Sequence, residues 1–112
     1  MSMNRSEIYT VNLDPTIGTE IKKTRPCVIV SPDEMNAHLL TVQVVPLTSK
    51  ERNIPSRVKI ASALASGLKA DSFAALDQLK TIDKQRCVSF IGKISEAEAM
   101  EIADVLCKMY QY

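Results

Sequence analysis

The chain has 112 residues, a length typical of one domain built around one hydrophobic core. Apolar residues make up 46% and charged residues 24%, which excludes an intrinsically disordered tail, and every apolar run is too short to span a bilayer. Fourteen basic residues against 13 acidic ones leave a net charge of +1, so composition alone does not indicate a nucleic-acid binder. We expect a single domain over residues 1–112.

The first half of the sequence predicts three strands and a short helix. The strands are rich in β-branched and aromatic residues or form continuous apolar runs. Strands are expected at residues 7–13, 27–30 and 39–45, and a short helix is expected to start within residues 31–34. Turn residues occupy 14–18, and Pro26 biases Arg25 toward extended backbone. Pro46 is expected to end the third strand.

The second half predicts further strands and a long terminal helix. The strands are expected at residues 56–60, 72–76, 77–82 and 86–93, with a kink near 77 and a loop over 61–70. Ser95 and Glu98 have the spacing of a helix-capping box, and an apolar stripe follows them. Six or so short strands and one helix predict a mainly β protein: a small, strongly bent β-barrel closed by a C-terminal α-helix.

The three cysteines are Cys27, Cys87 and Cys107, an odd and widely spaced set that argues against a disulfide framework. Cys27 and Cys87 lie in apolar runs and are interpreted as buried small hydrophobic residues. The N-terminus has no basic stretch followed by an apolar block, so no secretory signal is expected. A cytoplasmic location fits both observations.

Basic residues are unevenly distributed along the chain. Residues 1–94 carry 13 basic and 9 acidic side chains, whereas residues 95–112 carry 4 acidic side chains and 1 basic one. Clusters of lysine and arginine lie at 22–25, 50–59 and 80–86. If they share a face, they form a surface suited to phosphates, although such clusters are most often simply solvated.

The chemistry available to this chain is limited by what it lacks. With His38 as the single histidine, a two-histidine ribonuclease mechanism within one chain is excluded. No histidine or cysteine pair has the spacing of metal ligands, and no glycine-rich phosphate loop or nucleophile elbow is present. We therefore expect neither a metal nor a cofactor, and arginine, hydroxyl and carboxylate groups remain.

Arg25 presents a planar fork of donors that suits a phosphate, and it stays protonated at any working pH. Its expected task is to stabilise charge on a phosphorane-like transition state rather than to act as a base. Thr48 could donate its hydroxyl to the same phosphate, and Glu20 and Asp77 could orient the arginine or accept a proton from a ribose hydroxyl. Taken singly, each of these residues is more often a turn or surface residue.

Several short motifs occur together in one order. They are Asp14–Glu20, Arg25–Val30, Val45–Ser49, Lys69–Ser72 and Asp77–Arg86. On these motifs the chain resembles the MazF/PemK family of type II toxin endoribonucleases over residues 8–94. The resemblance implies an SH3-like β-barrel of the CcdB/PemK type, a homodimer, and a cognate antitoxin with a disordered acidic tail. It also implies metal-independent, sequence-specific cleavage of single-stranded mRNA to 2′,3′-cyclic phosphate and 5′-hydroxyl ends, with growth arrest as the result.

The resemblance also assigns roles to residues. Catalytic roles fall on Arg25, Thr48 and Glu20. RNA-binding roles fall on Gly18, Thr19, Lys23, Ser49, Lys50, Arg52, Asp77 and Gln78. The group that deprotonates the 2′-hydroxyl stays open among Glu20, Asp77 and water.

Two alternatives use the same fold without catalysis. One is a CcdB-like module that inhibits a protein target such as DNA gyrase, and Arg25 and Thr48 count against it. The other is a general RNA-binding barrel, which the modest net charge disfavours because strong non-specific affinity needs many phosphate contacts.

Overall fold

The computed structural model of the protein describes residues 2–112. Within them, short strands alternate with two helices and two 3₁₀ turns. In chain order the elements are β1 (Glu7–Asn12), β2 (Thr24–Ile29), α1 (Asp33–His38), β3 (Thr41–Thr48), β4 (Arg57–Ile60), β5 (Ser72–Ala75), a 3₁₀ turn (Leu76–Gln78), β6 (Lys80–Asp83), a second 3₁₀ turn (Lys84–Arg86), β7 (Cys87–Lys93) and α2 (Glu96–Met109). Each predicted element is present, with boundaries shifted by a few residues.

The strands form one antiparallel sheet in the order β4–β5–β3–β2–β1–β7, and β6 also pairs with β3. β5 pairs with residues 47–48 of β3, and β6 pairs with residues 41–44. The 3₁₀ turn between β5 and β6 therefore interrupts one long strand that runs beside β3. The predicted kink near residue 77 is confirmed, and it places Asp77 and Gln78 on this turn.

The prediction that Pro46 ends the third strand is wrong, because β3 continues to Thr48. Pro46 lies opposite Cys27 of β2, and on the other edge of β3 it falls between the residues that pair with β6 and those that pair with β5. Proline lacks an N–H and is tolerated where ladder pairing is interrupted. The 3₁₀ turn creates such an interruption, and β3 passes through it.

The predicted closure into a barrel is not confirmed, because the sheet of the described chain is open between β4 and β7. The loop over residues 61–71 lies against β7 instead, where the amide of Lys93 donates to the carbonyl of Ala65 at 2.8 Å. A Cβ added to Gly92 would lie 2.3 Å from the carbonyl oxygen of Ser66. Glycine thus allows the loop to cover the edge of β7 without forming a strand.

The sheet is buried on both faces. Ile8 and Val28 belong to one buried cluster, whereas their chain neighbours Tyr9 and Cys27 belong to another, as the alternation of side chains along a strand requires. α2 contributes Ile102 to the first cluster. The predicted capping box of α2 is confirmed: Ser95 Oγ accepts from the amide of Glu98 at 3.1 Å, and Glu98 Oε1 accepts from the amide of Ser95 at 2.9 Å.

Candidate active site

Arg25 and Thr48 lie at the ends of two neighbouring strands. The β2–β3 ladder ends at the pair of Cys27 and Pro46, and Arg25 and Thr48 each lie two residues beyond that pair. On their other edges, β2 pairs with β1 as far as Thr24, and β3 pairs with β5 as far as Thr48. The two side chains therefore share one corner of the sheet.

Three neighbouring cavities surround this corner. One of about 580 Å³ is lined by Arg25 and Ser49, and one of about 370 Å³ is lined by Thr48. The last, of about 360 Å³, is lined by Glu20. The end of β3 separates the cavity of Arg25 from the cavity of Thr48, because Leu47 and Ser49 line the former and Thr48, between them, lines the latter. Arg25 and Thr48 thus lie at the same end of neighbouring strands but border different cavities.

The hydroxyl of Thr48 is free to donate a hydrogen bond. Its Oγ1 accepts from the amide of Lys50 at 3.2 Å, which stabilises the turn after β3. A hydroxyl that accepts through one lone pair keeps its proton available. Thr48 therefore fills the expected turn role and can still donate to a phosphate oxygen.

Glu20 organises the loop between β1 and β2. Its Oε1 accepts from the amide of Ile17 at 2.6 Å, which closes a turn that contains Gly18 in a left-handed conformation with φ of 60°. Its Oε2 lies 3.9 Å from Nζ of Lys80, and both side chains are partly exposed. One carboxylate oxygen thus shapes the loop, and the other faces the third cavity and a weak ionic partner.

Asp77 is fully engaged by its neighbours. Arg57 donates from Nε to one carboxylate oxygen at 2.9 Å and from a terminal nitrogen to the other at 3.2 Å. Ser56 Oγ also donates to Asp77 at 2.9 Å. The hydrogen bonds from Arg57 hold the pKa of Asp77 below its ordinary value, although partial burial acts in the opposite direction. Asp77 is therefore a poor proton acceptor near neutral pH.

Gln78 connects the 3₁₀ turn to the β1–β2 loop. Its Oε1 accepts from the amide of Ile21 at 2.7 Å, across 57 positions of sequence. Gln78 and Thr19 each line both the cavity of Thr48 and the cavity of Glu20. The hydrogen bond thus fixes the loop that carries Glu20 relative to the strand end that carries Thr48.

The remaining predicted RNA contacts fall into two groups. Lys50 and Arg52 are exposed and line the cavity of Thr48. Gly18 and Lys23 lie outside these three cavities, on the exposed β1–β2 loop. The structure brings eight of the predicted residues together around the three cavities, in addition to Arg25. They are Thr19, Glu20, Thr48, Ser49, Lys50, Arg52, Asp77 and Gln78.

Arg57 lies at the candidate site, although the sequence did not single it out. It belongs to the predicted basic cluster at 50–59, but its side chain is only 6% exposed and lines the cavity of Thr48. The partner that distinguishes it from a surface arginine, Asp77, lies 20 positions away in the sequence. Charge patterning alone gives no signal of such a pairing.

The cysteines and the histidine lie apart from this chemistry. Cys27 follows Arg25 by two residues, but its thiol is buried, and burial raises its pKa to about 12. A thiol of this kind stays protonated and unreactive. His38 is exposed at the end of α1.

Two observations concern residues 2–112 as a whole. No cluster of three histidine, cysteine, aspartate or glutamate side chains in this range has a geometry that could hold a metal ion. Neither of the two helices is both long and apolar enough to cross a membrane.

The model of one protein family, described as the PemK-like, MazF-like toxin of type II toxin–antitoxin systems, matches residues 4–110. Among curated proteins, the endoribonuclease MazF9 of Mycobacterium tuberculosis is 35% identical to this chain over 109 residues. The alignment covers 93% of this chain and 92% of MazF9.

Solved structures show the same fold. The crystal structure of MazF from Deinococcus radiodurans superimposes with a TM-score of 0.81 at 21% identity, over 97% of this chain and 96% of that one. An endoribonuclease from a mycobacterial species, solved in complex with its cognate antitoxin, gives a TM-score of 0.81 at 21% identity over 99% of both chains. The strand order and the terminal helix described above therefore recur in proteins of low sequence identity.

Proposed function

We propose that this chain, which belongs to the PemK-like, MazF-like toxins of type II toxin–antitoxin systems, is an endoribonuclease that cleaves single-stranded RNA. The observation that carries the proposal is that Arg25 and Thr48 lie at the same end of neighbouring strands, each two residues beyond the last pair of the β2–β3 ladder. A phosphate lying across the end of β3 would meet the guanidinium from one cavity and the hydroxyl from the other. These are the two donor types that a phosphodiester transition state requires.

In the proposed reaction the ribose 2′-oxygen attacks the adjacent phosphorus. The bond from phosphorus to the 5′-oxygen breaks, which leaves a 2′,3′-cyclic phosphate and a 5′-hydroxyl. Arg25 stabilises the charge that builds on the non-bridging oxygens, and Thr48 donates its hydroxyl to one of them. No metal or cofactor enters these steps. DNA resists cleavage because it lacks the internal nucleophile.

The 2′-hydroxyl proton needs an acceptor, and the local contacts rank the candidates. Asp77 is the weakest, because Arg57 and Ser56 occupy its oxygens and its pKa is lowered. In Glu20, the partner of Oε2 is Nζ of Lys80, and at 3.9 Å the two atoms interact only weakly. Glu20 or a water molecule beside it is therefore the acceptor that we favour, with Asp77 acting as a structural partner of Arg57.

We also propose that the toxin acts in the cytoplasm as a homodimer and that a cognate antitoxin with a disordered acidic tail inhibits it. The mycobacterial structural relative was solved in complex with its cognate antitoxin. In this chain the exposed cations Lys50 and Arg52 line the cavity of Thr48. Carboxylates of an acidic tail would bind these cations in place of RNA phosphates.

The experiment is incubation of purified protein with single-stranded RNA in a metal chelator, followed by mapping of both ends of each fragment. The wild type should give 2′,3′-cyclic phosphate and 5′-hydroxyl ends. Arg25→Ala should lower the rate by about 10²–10³-fold, the usual loss for such a donor. Thr48→Val replaces the hydroxyl by a methyl group, which removes the proposed donor and also the acceptor of the Lys50 amide, and should lower the rate.

Lys108→Ala is the matched control, because it also removes one positive charge but lies on α2, where its exposed side chain pairs only with Asp104. It should cleave as the wild type does. Full cleavage by Arg25→Ala would refute the site. Growth arrest with intact RNA would instead support a non-catalytic module that binds a protein target.

A further inference from the structure

The cavity beside Arg25 has features that RNA cleavage alone does not require. It has a volume of about 580 Å³, within the range of roughly 300–1,000 Å³ that encloses small ligands. Buried Leu47 and Leu68 and half-buried Pro26 give it an apolar lining. Exposed polar residues also border it, so the cavity has an apolar interior and a polar rim.

Phe90 provides an aromatic ring at this rim. It lies on β7, lines the cavity, and remains 55% exposed. Its ring contacts buried Tyr9 edge to face, with centroids 5.6 Å apart and an angle of 76° between the planes. Since Tyr9 is fixed in the core, the ring of Phe90 is held in place while much of its surface stays open. Exposed, pre-positioned aromatic rings are typical platforms for unpaired bases.

The polar groups of the rim suit a nucleotide. Arg25 and Lys69 are cations, and Ser49 and Ser72 supply hydroxyls that can donate or accept. None of the described residues that line the cavity is acidic. An apolar interior with cations and hydroxyls at its edge matches a planar base attached to a phosphate.

We propose that this cavity binds one nucleobase next to the scissile phosphate, with Phe90 as its stacking surface. The inference rests on the proposed function, because it takes Arg25 as the residue that contacts that phosphate. Ser49 and Ser72 contact the edge of the base, and Lys69 contacts the neighbouring phosphate. The cavity thus selects which nucleotide occupies the position beside the cleaved bond.

The test combines variants of Phe90 with RNA that lacks one base. A substrate carrying the sequence that the wild type cleaves is made with an abasic position on either side of the cleaved bond, and kcat and KM are measured. Loss of a stacked base should lower kcat/KM of the wild type by about tenfold at one position. Phe90→Ala should lower kcat/KM on intact RNA by about the same factor. On the abasic substrate, the kcat/KM of Phe90→Ala should be no lower than that of the wild type.

Three further variants separate stacking from folding. Phe90→Tyr keeps the ring and should behave as the wild type, whereas Phe90→Leu keeps apolar volume without a ring face and should behave like the alanine variant. Val88 is the matched control, because it is a 64% exposed apolar residue on the same strand and does not line the cavity. Val88→Ala should leave kcat/KM and the abasic effect unchanged.

Several outcomes would overturn the proposal. If the loss caused by Phe90→Ala and the loss caused by the abasic position multiply when the two changes are combined, the ring and the base do not contact each other. A change of oligomeric state in light scattering of the Phe90 variants would assign the ring to an interface with a second copy. If the Phe90 variants bind an acidic peptide more weakly than the wild type does but cleave RNA at the same rate, the cavity binds a protein ligand instead.

Failure of the proposed function is distinguishable from failure of this inference. If the wild type cleaves no RNA, binding of a short random-sequence RNA to the wild type and to Phe90→Leu still tests the cavity. Equal affinities would then overturn the inference as well, whereas weaker binding by the variant would retain the base site without the cleavage.

Discussion

Replacing Asp77 by asparagine should destabilise the protein, because it leaves a buried guanidinium beside a neutral partner. The side chain of Arg57 is 6% exposed, and that of Asp77 is 37% exposed. Breaking a fully buried ion pair by removing one partner costs about 3–5 kcal/mol. Solvent around the partly exposed carboxylate screens the pair and reduces this cost. We expect a loss of about 2 kcal/mol in the free energy of unfolding, comparable to hydrogen bonds with charged groups.

The loss should depend on pH in one direction. Arg57 lowers the pKa of Asp77 in the folded protein, so the ion pair adds stability at pH values above the ordinary aspartate pKa of about 3.9. That added stability disappears as the pH falls through the lowered pKa, because the folded carboxyl then binds a proton too. The difference between the wild type and Asp77→Asn should be full near neutrality and shrink toward zero in acid.

The assay is urea unfolding at a series of pH values and one fixed protein concentration, since any self-association makes stability depend on concentration. Near neutrality the variant should also unfold about 8 °C lower. Asp104→Asn is the matched control, because its exposed pair with Lys108 on α2 should change stability by less than about 0.5 kcal/mol. Equal losses in the two variants, or a loss for Asp77→Asn that persists unchanged in acid, would refute the reasoning.

Three other predictions follow from single contacts. Gln78→Leu removes the acceptor that fixes the β1–β2 loop and should lower both stability, by about 1 kcal/mol, and RNA cleavage. Gln78→Glu keeps the acceptor and should retain the stability. Ser95→Ala removes the cap of α2 and should cost about 1 kcal/mol in thermal or urea unfolding. In the native protein a thiol reagent followed by mass spectrometry should label exposed Cys107 and leave buried Cys27 unmodified.

The features that the sequence predicted correctly are local. The capping box of α2 depends on two residues three positions apart, and the strand over residues 7–13 depends on its own β-branched and aromatic side chains. The residues proposed for the site were also chosen from local patterns, since Arg25 precedes a proline at a strand start and Thr48 closes a strand, and their roles stay a prediction. Neighbouring residues are sufficient to determine each of these features.

The features that the sequence missed depend on residues far apart in the chain. β3 passes through Pro46 because a turn 30 positions later interrupts the pairing on its other edge. The sheet stays open because the loop that contains Ser66 lies against Gly92. Which strand edges meet is a property of the folded chain, and a pattern of short strands predicts a closed and an open sheet equally well.

The sequence by itself determined the strands, the terminal helix and the set of arginine, hydroxyl and carboxylate groups available to the site. Only the tertiary structure decided which of those groups are free to react. Arg57 lies 20 positions before Asp77 and binds its carboxylate. Gln78 accepts from the backbone amide of Ile21, 57 positions away. Hydrogen bonds and ion pairs form between groups that are close in space, so the state of a carboxylate is set by neighbours that its own segment of sequence does not contain.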